Sequence, residues 1–210
     1  RANYPPIDGI NTQETSLALD IIVENSDIPE MDGLRVTVNG PNDFNSYCKQ
    51  NNLNELHNTQ FERKKRISNI NVKEYSFLRL SASTETNLYV PEDNTVAGVS
   101  IAEINNMLNS MQYQKYYRLK KRYSFYITID NNSDYQVRVD MTDVRQGSGY
   151  SLRNSKVKES KPRYEIEIEF LGKVDTQRPS SLTKNDYLIQ FLGMFTAFYN
   201  DTTFQFLLSD

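Results

Sequence analysis

The stretch Tyr164-Glu165-Ile166-Glu167-Ile168-Glu169-Phe170 alternates acidic and apolar residues without a break. In an extended chain successive side chains point to opposite faces, so Glu165, Glu167 and Glu169 share one face. Tyr164, Ile166, Ile168 and Phe170 share the other. Three carboxylates in a row repel one another unless positive charge sits among them, and a divalent cation held by oxygen ligands is the most economical source of it. Taken alone, the strand also fits an edge strand with a solvated acidic face. The segments that accompany it argue for the cation.

Two earlier segments alternate in the same way with mostly the opposite charge. In Arg118–Ile127, Arg118, Lys120, Arg122 and Ser124 fall on one face, and Leu119, Tyr123, Phe125 and Ile127 on the other, with Lys121 as the single exception. In Tyr135–Val144, Gln136, Arg138, Asp140 and Thr142 oppose Val137, Val139 and Met141. The apolar faces predict a core covering one side of these strands. The charged faces must then line solvent or an enclosed polar cavity. Three strands with such dense mixed charge suit the inside of a barrel that holds a highly charged anion and its metal.

Bulk composition narrows the chemistry. At 210 residues the chain is expected to form one fairly large domain, and a net charge of −3 provides no global field for nucleic acid or membranes. Anion binding must therefore come from local clustering. The lone Cys48 excludes an internal disulfide framework, and with His57 as the only histidine a zinc centre or a Ser-His-Asp triad has little to build on. Cys48 reads as a packed residue and His57 as a surface one. There is no signal peptide and no apolar run of membrane length, so an intracellular, soluble protein is expected. Fourteen tyrosines and ten phenylalanines favour strands.

Along the chain, Arg1–Thr15 reads as an irregular connection, Ser16–Glu24 and Leu34–Val38 as strands, and Pro41–Leu53 as a short helix with Asn42 as cap. Phe61–Ser68 is the strongest basic run and, taken alone, resembles a solvated surface. As a strand it puts Arg63 and Lys65 on one face and Lys64 and Arg66 on the other. Tyr75–Ser81 reads as another strand, carrying Arg79. Ser100-Ile101-Ala102-Glu103 is a capping box opening a helix with Ile101, Ile104, Met107, Leu108 and Met111 at helical spacing, the methionines expected in the core. Gly147–Lys161 reads as a flexible polar loop, and its Gly-Ser-Gly is too short and wrongly placed to cradle phosphate. Ser181–Tyr199 has the pattern of an amphipathic helix. The fold class expected is mainly β with flanking helices (α+β): an antiparallel barrel with charged strands facing inward.

Burying unpaired charge is costly, so such an interior must bind something. Carboxylates on one wall and Lys/Arg on the others would hold a metal and a polyphosphate between them. Arg suits a bidentate grip on phosphate oxygens and Lys acts as a point charge. Nothing in the chain suggests a covalent intermediate, which leaves water as the nucleophile.

Lys120-x-Arg122-Tyr-Ser, Arg138-x-Asp140-x-Thr142 and Glu165-x-Glu167-x-Glu169, in that order, resemble the triphosphate tunnel metalloenzymes. More closely, they resemble the metal-dependent RNA triphosphatase domain of mRNA capping enzymes of large DNA viruses and fungi. The resemblance is strongest from Tyr117 to Lys173. It implies an eight-stranded antiparallel tunnel, a magnesium or manganese ion, and hydrolysis of the γ-phosphate of 5′-triphosphate RNA to a 5′-diphosphate end. It also implies that Glu165 and Glu167 ligate the metal or adjoin its ligands, with Glu169 completing the acidic wall. Lys120, Arg122, Arg138 and Arg118 would contact phosphate, Asp140 would orient a basic neighbour or the water, and Thr142 would support it. Arg63, Lys65 and Arg79 would add positive charge from earlier strands. The partners implied are triphosphate RNA, nucleoside triphosphates and a guanylyltransferase module in the same or a partner polypeptide. A cytoplasmic location would follow for a viral protein and a nuclear one for a cellular protein.

Two departures from the family pattern matter. Its first strand carries a Glu-x-Glu pair, which this sequence lacks; Asp20 and Glu24 have the wrong spacing. The missing strand is expected just upstream of Arg1, in a longer capping enzyme of which residues 1–210 are the triphosphatase domain. The Lys-x-Asp-Gly of a guanylyltransferase is also absent. Two alternatives therefore stand beside RNA triphosphatase: the same fold acting on nucleoside triphosphates or tripolyphosphate, and a non-catalytic module that binds RNA ends or a capping partner.

Overall fold

Leu34, Val36 and Val38 alternate with Arg35, Thr37 and Asn39, and the strand they form is apolar on one side and polar on the other, as alternation requires. The computed structural model describes residues 10–23, 32–71, 79–128 and 136–170. In chain order the elements are β1 (Ile10–Val23), β2 (Leu34–Asn39), α1 (Pro41–Gln50), β3 (Thr59–Asn71), β4 (Arg79–Asn87), β5 (Tyr89–Val90), β6 (Thr95–Val96), β7 (Val99–Ser100), α2 (Ile101–Asn109), β8 (Lys115–Thr128), β9 (Gln136–Gly149), α3 (Leu152–Ser155) and β10 (Arg163–Phe170). Seven strands form one sheet in the order β10-β9-β8-β1-β2-β3-β4, and β5, β6 and β7 form a small second sheet. The mainly β expectation holds, and among the described residues the sheet has seven strands where eight were expected.

The chain divides into two compact units. One comprises Gln13–Ser124 and Asp140–Ile166; the other comprises Arg1–Thr12, Phe125–Val139 and Glu167–Asp210. The first contains the hydrophobic core. Leu19, Ile21 and Val23 of β1, Leu34, Val36 and Val38 of β2, and Phe61 of β3 pack with Phe44 and Tyr47 of α1 and Ile104, Met107 and Leu108 of α2. Each such side chain contributes about 1.5–3 kcal/mol on burial, so this face supplies most of the stability of the unit. Antiparallel register fixes which residues share the opposite face: Asp20 lies across from Thr37, Ile22 from Arg35, Arg35 from Glu62, and Lys64 from Glu85.

Several local expectations are revised. β1 begins at Ile10, inside the stretch expected to be irregular. The cap of α1 is Gly40, whose φ of 84° is open to glycine, with Pro41 following at the first helical position; Asn42 is not the cap. Met111 lies beyond the end of α2 and is exposed, whereas Met107 is in the core. The capping box is present, with Ser100 N–H donating to Glu103 Oε2 at 3.0 Å and Glu103 N–H to Ser100 Oγ at 3.3 Å. Cys48 is a free thiol packed partly against the core, and His57 is exposed.

The expected flexible loop at Gly147–Lys161 is instead built structure. β9 continues to Gly149, α3 follows, and Arg145 Nη1 donates to Lys158 O at 2.7 Å while Gln146 N–H donates to Ser160 Oγ at 3.1 Å. A Cβ on Gly147 would collide with the Ser155 carbonyl, so glycine there serves close packing and not mobility. Lys115, buried, donates from Nζ to Ser110 O and Tyr150 O, both at 2.5 Å, and desolvation holds its pKa below the usual lysine range. The amphipathic pattern at Ser181–Tyr199 and most of Tyr75–Ser81 lie outside the described residues. Among the described residues no helix is long and apolar enough to cross a membrane.

Candidate functional site

On β9 and β10 of the first unit the charged face is the more buried one, and β1 has buried residues on both faces. Asp20 is 0% exposed and Asp140 1%, while Met141 is 44% and Tyr164 81% exposed on the alternate, apolar faces. This inverts the usual relation for a sheet with one wet face. It also corrects the expectation that a core covers every apolar face. Cover reaches Tyr117 and Leu119 on β8 but not Tyr164 and Ile166 on β10.

The charges on these faces are arranged in pairs. Lys120 Nζ lies 2.8 Å from Asp20 Oδ2, and Thr37 Oγ1 donates to Asp20 Oδ1 at 3.1 Å. Arg122 Nη1 lies 3.4 Å from Asp140 Oδ2, and Ser124 Oγ donates to Asp140 Oδ1 at 2.7 Å. Arg118 Nη2 meets Glu165 Oε2 at 3.0 Å. Glu85 is 2.9 Å from Lys64 Nζ and 3.8 Å from Arg35 Nη1. The Arg118–Glu165 pair joins β8 to β10, and the Arg35–Glu85 pair joins β2 to β4. Strands two apart lie roughly 10 Å from each other in a flat sheet. A sheet curled toward its charged side brings such partners within reach.

Burial disfavours the Lys120 ammonium and lowers its pKa, with Asp20 pulling the other way. The hydrogen bond from Lys64 holds the Glu85 carboxyl below the usual range, against a smaller opposing effect of burial, and Arg35 and Lys120 add to the lowering. The influence of Lys120 on Glu85 places β8 and β4 charges in one electrostatic field. Thr142 Oγ1 is buried with no hydrogen-bond partner among the described residues.

Six residues singled out in the sequence, Lys120, Arg122, Asp140, Thr142, Arg118 and Glu165, are brought together on the buried charged face of the first unit. In the second unit Arg138 pairs with Glu169, and Glu167 is exposed on β10. Arg63 and Lys65 stand on the face of β3 that carries the core residue Phe61, opposite Lys64, and are not brought to the cluster. Arg79 is placed by backbone register across from Asn71. Sequence reasoning missed Arg35, Thr37, Lys64 and Glu85 and set Asp20 aside. The signal was present: Phe61 and Ile67, the apolar residues of the run Phe61–Ser68, share one parity, so that parity is the core-facing one and Lys64 faces away from it.

The hard carboxylate oxygens of β10 suit magnesium or manganese. Among the described residues no three His, Cys, Asp or Glu side chains converge on a self-contained ion site. This fits the usual binding of magnesium by one or two carboxylates, with substrate phosphates and water supplying the rest.

No described protein family and no curated protein matches this sequence. Solved structures do match. The triclinic structure of the Mimivirus capping enzyme triphosphatase superposes with a TM-score of 0.53 at 21% identity, over 89% of this chain and 75% of that one. The chain shares that fold. A monoclinic structure of the Mimivirus capping enzyme triphosphatase gives 0.50 at 20% identity, over 91% and 77% of the two chains. The RNA triphosphatase domain of a trifunctional mimivirus mRNA capping enzyme gives 0.52 at 19% identity, over 89% and 75%.

Proposed function

We propose that this chain is a metal-dependent RNA 5′-triphosphatase, removing the γ-phosphate of nascent RNA as the first step of capping. The observation that carries this reading is the paired charge of Arg35, Lys64, Glu85, Arg118, Lys120, Arg122 and Glu165 around the buried Asp20 and Asp140, on a fold shared with a capping-enzyme triphosphatase. In this reading residues 1–210 are the triphosphatase module of a longer intracellular capping enzyme. A guanylyltransferase module in the same or a partner polypeptide would act on the diphosphate end.

Arg118, Lys120 and Arg122, on alternate positions of β8, present a row of cations to a polyphosphate. Its oxygens replace Glu165 as the partner of Arg118 and add to the partners of Lys120 and Arg122, and the charge growing on the transferring phosphoryl group is met by groups already in place. Asp20 holds Lys120, and Asp140 holds Arg122, aimed inward without freedom to turn away. When phosphate takes Arg118, the Glu165 carboxylate is released as an oxygen donor. One or two of the β10 carboxylates Glu165, Glu167 and Glu169, with substrate phosphate and water, would ligate a magnesium or manganese ion, which would polarise the terminal phosphoryl group. Thr142 Oγ1 has spare hydrogen-bonding capacity for a phosphate oxygen or the attacking water. Arg138 adds a further guanidinium for the phosphate chain.

Release of γ-phosphate from 5′-triphosphate RNA, with and without manganese or magnesium, tests the reading; tight triphosphate binding without release would leave a binding module in its place. Arg122→Lys keeps the charge but loses the planar fork. It is expected to lower kcat by roughly 10–100-fold with little change in stability, since Asp140 retains a cationic partner. An unchanged rate would show that Arg122 serves Asp140 alone.

A further inference from the structure

The connection from β9 to β10 carries charge that the ion pairs do not use. Between Arg145 and Arg163 lie six basic residues (Arg145, Arg153, Lys156, Lys158, Lys161 and Arg163) and a single acid, Glu159, in a chain of net charge −3. Arg145 is turned onto the Lys158 and Ser160 carbonyls, and Lys158 Nζ sits 5.0 Å from the centre of the Phe44 ring. Arg153, Lys156, Lys161 and Arg163 are exposed and form no ion pair among the described residues. Four unneutralised cations on one short connection repel one another, and the backbone bonds around Ser155 and Ser160 hold them there.

Two further features lie within the same unit. An open groove of about 490 Å³ is lined by Gln146, Lys161, Pro162 and Arg163. Gln146 shares the β9 face of Asp140 and Thr142, and Arg163 shares the β10 face of Glu165, so the groove begins where the buried charged face ends. Two exposed aromatic residues adjoin the cations in sequence: Tyr164, 81% exposed on the face of β10 opposite Arg163, and Tyr150, 44% exposed. The Tyr150 backbone is fixed by the Lys115 ammonium. Exposed rings beside unpaired Lys and Arg are what single-stranded nucleic acid uses, with bases stacking on aromatic faces and phosphates tracking the cations.

We infer that the RNA chain behind the triphosphate end leaves the site over the β9–β10 connection, its phosphates on Lys156, Lys161 and Arg163 and a base stacked on Tyr164. This rests on the triphosphatase reading and adds what separates an RNA end from a free nucleoside triphosphate. Single-stranded RNA is favoured over an acidic protein surface because the aromatic rings have no role with carboxylates alone.

The test uses the whole chain and a 5′-hydroxyl single-stranded RNA oligonucleotide, which cannot be hydrolysed at the site, with binding followed by fluorescence anisotropy against salt. Tyr164→Ala is expected to weaken binding about 5- to 100-fold. The double variant Lys156→Ala, Lys161→Ala is expected to lower the slope of log K against log salt by about 0.7 for each phosphate that is no longer neutralised. Hydrolysis of tripolyphosphate, which has no RNA chain, is the fold control and is expected to persist in both. Unchanged RNA affinity and salt slope in the variants, or no binding of this RNA by the parent chain, would overturn the inference. So would a poly-glutamate peptide that binds as tightly as the RNA and whose binding depends equally on Lys156 and Lys161. Absence of γ-phosphate release beside variant-sensitive RNA binding would instead overturn the triphosphatase reading and leave the RNA surface standing.

Discussion

Glu167→Gln is expected to lower metal-dependent γ-phosphate release from triphosphate RNA by about 10³-fold or more, with an unchanged unfolding curve. A ligated ion stabilises transition-state charge by several kcal/mol, and about 4 kcal/mol corresponds to three factors of ten in rate. Glu167 is exposed on β10 and Gln matches its size, so the fold should survive. Gln keeps the shape and one oxygen but loses the negative charge that a hard divalent ion prefers. Glu165→Gln is expected to follow it in activity, although that change also takes the carboxylate partner from Arg118. A Glu167 variant with near-normal turnover at saturating manganese would remove β10 from the metal site.

The second large effect is on stability. Asp20→Ala is expected to destabilise the chain by about 3–5 kcal/mol, because removing one member of a buried pair leaves the other uncompensated. Asp20 is fully buried and the Lys120 side chain is 14% exposed, so water can do little for the ammonium left behind. Thr37 loses its acceptor as well. Adding Lys120→Met should restore most of the loss, a coupling visible in urea unfolding as a double-mutant cycle. The pH dependence has a definite sign. Burial lowers the folded pKa of Lys120 beneath 10.5, so in the window between that lowered value and 10.5 the unfolded chain binds more protons and stability rises with pH. Without Asp20 the folded pKa of Lys120 falls further still, so the penalty in Asp20→Ala should shrink as pH climbs from the variant's folded value to the parent's. A penalty independent of pH, or no recovery in the double variant, would show that Asp20 packs without holding Lys120.

The charged face of β8 and β9 is legible in sequence because alternation over Arg118–Ser124 breaks only at Lys121 and over Asp140–Thr142 does not break, and a strand has no other way to place such residues. The rest of the face is harder to read for particular physical reasons. Lys64 sits in the run Glu62-Arg63-Lys64-Lys65-Arg66, where every position is charged and parity is carried only by the flanking Phe61 and Ile67. Expecting Arg63 and Lys65 at the site runs against those two apolar markers. Asp20 looks like a lone acid in the apolar run Leu17–Val23, and its role depends on Lys120, 100 positions away, which no local pattern can show. The β9–β10 connection reads as mobile because glycine and serine are common in loops. There, Gly147 instead admits the Ser155 carbonyl to close contact.

RNA triphosphatase chemistry requires that the bond between the β- and γ-phosphates of an RNA 5′ end is the one cleaved. The decisive measurement is identification of both products from triphosphate RNA labelled separately at the β- and γ-phosphates, with manganese or magnesium supplied. Cleavage at that bond predicts orthophosphate carrying the γ label and RNA retaining the β label as a diphosphate end, with no release in chelator. Pyrophosphate release, a monophosphate end, or product formation indifferent to the metal would contradict it.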